Sequence, residues 1–181
     1  MAGFGISPKA ASAEQPKPSS WYALHTRARH EKKIDANLQH AGISTFLPLV
    51  KETRRWSDRR KTVELPLFPC YVFVNMPLTP ELRLAVLRTP GVLAFVGKSG
   101  EATPISEQEI DQVHTVLTQK VPFGPSPFLK AGQRVRVRGG ALDGMEGILS
   151  SQKGQTMLVI SVEPIQRSIA VSVSGYEFEP A

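Results

Sequence analysis

Pro66-Leu67-Phe68-Pro69-Cys70-Tyr71-Val72-Phe73-Val74-Asn75 is the stretch from which the rest of the chain can be read. Valine, phenylalanine and tyrosine suit the pleated, half-buried surface of a strand. The run from Leu65 to Asn75 therefore carries the strongest strand signal. Side chains alternate across a strand, so Tyr71 and Phe73 share one face and Val72 and Val74 the other. One face has to cover the domain's own core. Pro69 fixes a backbone dihedral and lacks a donor, so a bulge or a sheet edge is expected there. The aromatics are either core, where large rings usually go, or part of a surface that is wet when free and dry when bound, to which polar-tipped rings are suited.

The neighbouring segments build a mixed domain. Trp21-Tyr22-Ala23-Leu24-His25 is a short strand, and about Arg29 to Ala41 is a helix with Ile34, Leu38 and Ala41 on one side. Gly42 stands where a left-handed cap would end it. Phe46 to Val50 is a second apolar run, followed by a polar excursion from Lys51 to Lys61. Thr79-Pro80-Glu81 offers an N-cap, a proline at the first helical position and an acid in the first turn. Ser106-Glu107-Gln108-Glu109 has the form of a capping box, and Ile110, Val113 and Leu117 follow as a helical stripe. Val92 to Val96 lies between these helices as a strand. Strand, helix, strand, strand, helix, strand, helix favours helices on a mainly antiparallel sheet, an α+β domain.

Lys-Val-Pro-Phe-Gly-Pro-Ser-Pro at 120–127 interrupts this pattern and reads as a linker that resists strand pairing. Beyond it, Arg134-Val135-Arg136-Val137-Arg138 alternates charge and valine, as a half-buried strand does. Gly139, Gly140, Gly144 and Gly147 mark a turn, and Met157–Val162 and Ile169–Val173 are further strands. Short strands and glycine turns over this length fit a small closed barrel. The alternating Val135, Val137, Val159, Val171 and Val173 argue for strands here rather than helices. The expected division is a tail at 1–20, a first domain at 21–119, the linker at 120–127 and the barrel at 128–181.

Composition narrows the function. The chain has 181 residues, 41% of them hydrophobic, and a formal net charge of +6. That charge favours polyanionic partners. No run approaches the roughly 18 apolar residues of a membrane span, and residues 1–20 have no secretory apolar core. The single cysteine, Cys70, neither staples a fold nor makes a zinc site, and fits a reducing cytoplasm. No phosphate-cradling loop, nucleophile elbow or metal-ligand spacing occurs. His25, His30, His40 and His114 are scattered. The expectation is a non-enzymatic, cytoplasmic, monomeric protein without cofactor or metal.

Together, Trp21-Tyr22 with its basic helix, the Pro66–Val74 run, Arg88-Thr89-Pro90-Gly91-Val92 ahead of Val96-Gly97, and Gly132-Gln133-Arg134-Val135-Arg136-Val137 with the turn ending Gly147-Ile148-Leu149 resemble the NusG family. The likeness runs from Trp21 to the C-terminus. It implies an NGN-like domain with an antiparallel sheet flanked by helices, a linker and a small SH3-like KOW β-barrel. Cys70 departs from the glycine that housekeeping members carry at this place. With Pro-Leu-Phe-Pro ahead of it, the chain resembles specialised RfaH-like paralogues.

What the resemblance implies is a transcription elongation or antitermination factor. Its first domain would bind the paired clamp helices of RNA polymerase, in a helix-in-groove mode, and bridge the two large subunits. Tyr22, Phe68, Pro69, Tyr71, Phe73 and Phe95 are the candidates for the apolar depression, with Arg88 and Thr89 nearer the second subunit. Arg27, Arg29, Asn37 and His40 are candidates for non-template or upstream DNA, and Lys32 and Lys33 add charge beside them. A second basic run, Arg54, Arg55, Arg59, Arg60 and Lys61 around Trp56, is either a solvated loop or a DNA contact. On the barrel, Leu142, Met145 and Ile165 match the surface that family members offer to the termination factor Rho or a small-subunit ribosomal protein. Alternatively, they cap the barrel's open end. The competing possibility is a KOW-type RNA- or ribosome-binding protein that uses Arg134, Arg136 and Arg138.

Overall fold

A computed structural model describes residues 18–55, 60–98, 101–119, 121–126, 132–152 and 154–181, apart from the side chains of residues 54, 55, 60, 61, 125 and 152. The 1–17 part of the expected tail, Trp56 and Arg59, and the positions Lys120 and Pro127 of the expected linker lie outside the described residues.

The N-terminal half follows the alternation read from the sequence. Strand β1 (Ser20–Thr26) lies between β5 (Tyr71–Met76) and β6 (Val92–Phe95), and β2 (Ser44–Phe46) pairs with the far side of β5. A short strand β7 (Pro104–Ile105) also pairs with β1, and every pairing is antiparallel. Helices α1 (Glu31–His40) and α2 (Pro80–Leu87) cover one face of the sheet. There Tyr22, Leu24, Val72, Val74 and Met76 pack with Ile34, Leu38 and Val86. Helix α3 (Glu107–Thr118) covers part of the other face, where Ala23 and Phe73 join Ile110, Val113 and Val116. Burying each such side chain contributes about 1.5–3 kcal/mol, which is why the strand alternation decides which helix covers which face.

The expected caps form. Thr79 Oγ1 accepts from the Leu82 N–H, with Pro80 at the start of α2. Ser106 and Glu109 make a reciprocal capping box at α3. Gly42 takes a φ of 78° just past α1. Three expectations change. Helix α1 starts at Glu31, so Arg27 and Arg29 sit in the loop before it. The polar excursion is a hairpin of β3 (Leu49–Arg55) and β4 (Arg60–Pro66), a two-stranded sheet of its own. Its inner positions carry Thr53 opposite Thr62, a pairing that a strand tolerates without an apolar face.

The third change concerns the expected linker. Phe123–Ser126 is a strand, β8, paired with β12 (Arg167–Ser172). Pro125 needs no N–H donor there because β8 ends the sheet, and edge strands tolerate proline. The C-terminal sheet runs β13-β9-β10-β11-β12-β8, with β9 (Arg134–Arg138), β10 (Glu146–Gln152), β11 (Gln155–Val162) and β13 (Glu177–Pro180) completing it. Its path is a line of six strands among the described residues, the all-strand C-terminal domain that was expected. Val135, Val137, Val159, Val171 and Val173 are all buried, as their alternation requires. Gly147 has a steric reason to be glycine: a Cβ there would lie 2.6 Å from the carbonyl oxygen of Val159 on β11.

The two halves touch. Helix α3 packs against β11, and β7 against the 3-10 turn Glu163–Ile165. One apolar cluster includes residues from both halves, Ile105, Ile110 and Val113 with Leu142, Met145 and Ile165 among them.

Candidate functional site

The α3 face of the N-terminal sheet has more aromatic surface than α3 covers. Phe73 is fully buried at its centre, with Phe68 edge-on to it at 6.1 Å. Phe46 lies 6.1 Å from Phe73 and 6.3 Å from Trp21, and 6.1 Å from the ring of His114 on α3. His25 and Tyr71 face each other across β1 and β5 with ring centroids 5.7 Å apart. Phe73 and Phe68 are the floor. Trp21, Phe46, Leu67 and Tyr71 are half-buried above it, and His25 and His114 are exposed. Rings with polar edges over an apolar floor can desolvate against an apolar partner while still being wetted when free.

Not every residue expected in this depression is there. Tyr22 and Phe95 are on the opposite face, edge-on to each other at 6.2 Å and packed under α1 and α2. The period of two puts Tyr22 with Leu24, away from Tyr71. Their exposures of 7% and 8% make them core. Phe68 and Phe73 belong to the correct face but contribute from below. Pro69 is exposed at the turn. Trp21, Phe46, His25 and His114 were missed. The strand register pairs His25 with Tyr71 and Phe46 with Phe73, so alternation alone places them on that face. Arg88 caps the C-terminus of α2 and is exposed, while Thr89 is half-buried with its hydroxyl donating to the Ala85 carbonyl. Both are remote in sequence and element from the Tyr71 face.

The turn at Pro69-Cys70 accounts for the residue that departs from the family pattern. Cys70 has a φ of 68°, and the Tyr71 N–H closes the turn on the Phe68 carbonyl at 3.3 Å. Proline second and a positive φ third are the marks of a type II turn, in which glycine is favoured at the third place. A glycine there is thus a backbone requirement, which Cys70 meets with strain.

Arg27, Arg29, Asn37 and His40 are all exposed. Asn37 and His40 lie on the solvent side of α1, and Arg27 and Arg29 in the loop that leads into it. The Arg27 N–H donates to the Gly91 carbonyl, tying this loop to the Thr89-Pro90-Gly91 segment. Lys32 pairs with Glu64 at 3.7 Å on the β3–β4 hairpin, so it is less free for phosphate than its neighbours. Of the second basic run, Trp56 and Arg59 and the side chains of Arg54, Arg55, Arg60 and Lys61 are outside the description.

In the C-terminal half, Leu142, Met145 and Ile165 are buried, at 1%, 5% and 5% exposure. They face no solvent in this arrangement. Met145 and the adjoining Asp143-Gly144 lie along a groove whose other wall is Glu107, Gln108, Asp111, Gln112 and Thr115 of α3. Of the arginines on β9, Arg136 bonds to Glu146 and lies 4.0 Å from Glu179, and Arg138 bonds to Glu179 at 2.6 Å. The hydrogen bond that the Arg136 guanidinium donates to the Glu146 carboxylate, reinforced by that carboxylate's charge, holds Arg136 above its ordinary pKa. Two of the three cations that would bind RNA are therefore already paired within the sheet.

An α+β domain with a half-buried aromatic face is thus joined to a small all-β domain. A family model described as transcription termination factor nusG matches residues 19–114. The chain belongs to the NusG family, and it is a transcription elongation and antitermination factor. Proteins named transcription termination/antitermination protein NusG are similar along most of its length. The one from Borreliella burgdorferi is 26% identical over 88% of this chain and 97% of its own. The one from Lactococcus lactis is 29% identical over 88% and 91%. A solved structure titled "Domain interaction in Thermotoga maritima NusG" shares the fold, with a TM-score of 0.51 and 21% identity over 88% of this chain and 96% of that one.

Proposed function

We propose that the α3 face of the N-terminal sheet, centred on Tyr71, is the surface by which this factor docks on a helical hairpin of RNA polymerase. One observation carries this: α3 leaves Tyr71, Phe46 and Trp21 half-buried over the fully buried Phe73, so an apolar partner gains area there without the domain losing any core. Buried aromatic anchors of this type supply most of the affinity in protein interfaces. Arg88 and Thr89, at the end of α2, would reach the other large subunit.

Exposed Arg27, Arg29, Asn37 and His40 would touch the non-template or upstream DNA, the arginines through phosphates and without sequence choice. The C-terminal domain recruits a further partner, such as a termination factor or a ribosomal protein, through Leu142, Met145 and Ile165. Those side chains are buried in the present arrangement, so that step requires them to become exposed. The protein acts by binding alone, as a cytoplasmic monomer. RNA binding through β9 is the weaker alternative, since Arg136 and Arg138 are occupied by Glu146 and Glu179.

The test is transcription by bacterial RNA polymerase on a template with pause and terminator sites. The wild-type chain is expected to change the fraction of stopped transcripts, and Tyr71→Asp to leave it at the value without protein. An equal effect of both proteins would remove the Tyr71 face from the function.

A further inference from the structure

Glu31 opens α1 with its carboxylate buried, at 4% exposure. An acid in the first helical turn is ordinary, because the helix dipole favours a negative charge there. Its use here is not. The N-cap His30 makes no side-chain cap. Its Oε1 accepts the N–H of Cys70 at 2.9 Å, across 39 positions of sequence. The carbonyl of the same Cys70 accepts the Thr26 N–H at 2.9 Å. Both backbone polar groups of the left-handed Cys70 are therefore held from outside the turn.

A non-glycine residue at positive φ persists only where its surroundings over-determine it. We propose that Glu31 is a positioning residue for polymerase docking, which holds the Phe68–Tyr71 turn in the shape that presents the Tyr71 ring. The proposal rests on the assignment of the Tyr71 face as the docking surface. A charged acceptor is the strong kind of hydrogen bond, and burying it is a costly way to obtain stability alone. Ile34 and Leu38, almost fully buried, anchor α1 without it. Loss of the carboxylate therefore frees the turn more than it frees the helix. Tyr71 starts β5 directly after Cys70, so a relaxed Cys70 redirects the ring that stands against His25.

The experiment measures affinity for purified bacterial RNA polymerase with the full chain, well below the unfolding temperature. Each variant also carries fluorotyrosine, which reports Tyr22, Tyr71 and Tyr176 as separate fluorine resonances. Glu31→Gln retains an acceptor oxygen without the charge and should lose less affinity than Glu31→Ala, which should weaken binding about tenfold, the size of one hydrogen bond to a charged group. The Tyr71 resonance should move in Glu31→Ala while that of Tyr176 stays. Adding Cys70→Gly to Glu31→Ala should restore part of the affinity, because glycine adopts the turn unaided. Glu31→Asp keeps the charge at the helix start but shortens its reach, so it gives the same loss in a chain that folds even where Glu31→Ala does not. Wild-type affinity in Glu31→Ala or Glu31→Asp, with binding abolished in Tyr71→Asp, overturns the role of Glu31 and leaves the docking face standing. Wild-type affinity in Tyr71→Asp overturns both.

Discussion

The carboxylate of Glu109 accepts the backbone N–H of Glu163 at 2.9 Å through Oε1, while its Oε2 accepts both the N–H and the hydroxyl of Ser106. The same side chain thus completes the capping box of α3 and fastens that helix to the C-terminal domain. Replacement by alanine removes an N3 partner and an interdomain acceptor together. Glu109→Ala is expected to lower stability by about 1–2 kcal/mol in urea unfolding, within the range of a lost cap plus an exposed hydrogen bond. Hydrogen exchange at the Glu163 amide should accelerate more than at the amides inside β12. Equal protection of Glu163 in the two proteins would separate the capping role from the docking role.

Gly147→Ala tests the close approach of β10 to β11. The added methyl would meet the Val159 carbonyl at 2.6 Å, a backbone atom that cannot swing aside. Overpacking of this kind costs about 1–3 kcal/mol. Thermal unfolding should show the loss in the C-terminal domain, and Gly124→Ala, where a Cβ meets nothing within 4 Å and the φ is not positive, should show none of it. Equal stability of Gly147→Ala and wild type would mean the sheet relaxes freely at this point.

Much of this was legible in the sequence because it follows from short-range rules. Ser106 with Glu109 and Thr79 with Pro80 set the starts of α3 and α2, and both caps are present. Alternation assigned Tyr71 and Phe73 to one face correctly. The same rule, applied to β1, separates Tyr22 from them, and grouping the aromatics by type rather than by parity produced the mistaken depression. The Phe123–Ser126 strand was hidden by its proline and glycine, whose local preferences are overridden where an edge strand needs few donors. The hairpin at Leu49–Pro66 is polar, so it lacks the apolar alternation by which strands are recognised. Leu142, Met145 and Ile165 are buried in one cluster with Val135, Val137 and Ile160 of their own sheet and with Ile110 and Val113 of α3, long-range contacts that no local pattern encodes.

Arg27 and Arg29 carry the claim about DNA phosphates. Each cation that neutralises a phosphate on duplex DNA releases counterions, and contributes about 0.9 to the slope of log affinity against log salt. The Arg27→Ala, Arg29→Ala double variant should bind an elongation complex more weakly at low salt and converge on wild type at high salt, with the slope reduced by about 2. An unchanged slope would show that these arginines are simply solvated.

The central claim is that the Tyr71 face meets polymerase, and it is tested most directly by the affinity of purified RNA polymerase for Tyr71→Asp beside Gln155→Asp, a charge placed on the exposed end of β11. A loss of at least about 2 kcal/mol, some thirtyfold, is expected for Tyr71→Asp, as at an interface hot spot, with unfolding curves matched and Gln155→Asp binding as wild type does. Equal affinity of the folded Tyr71→Asp chain and the wild type would contradict it.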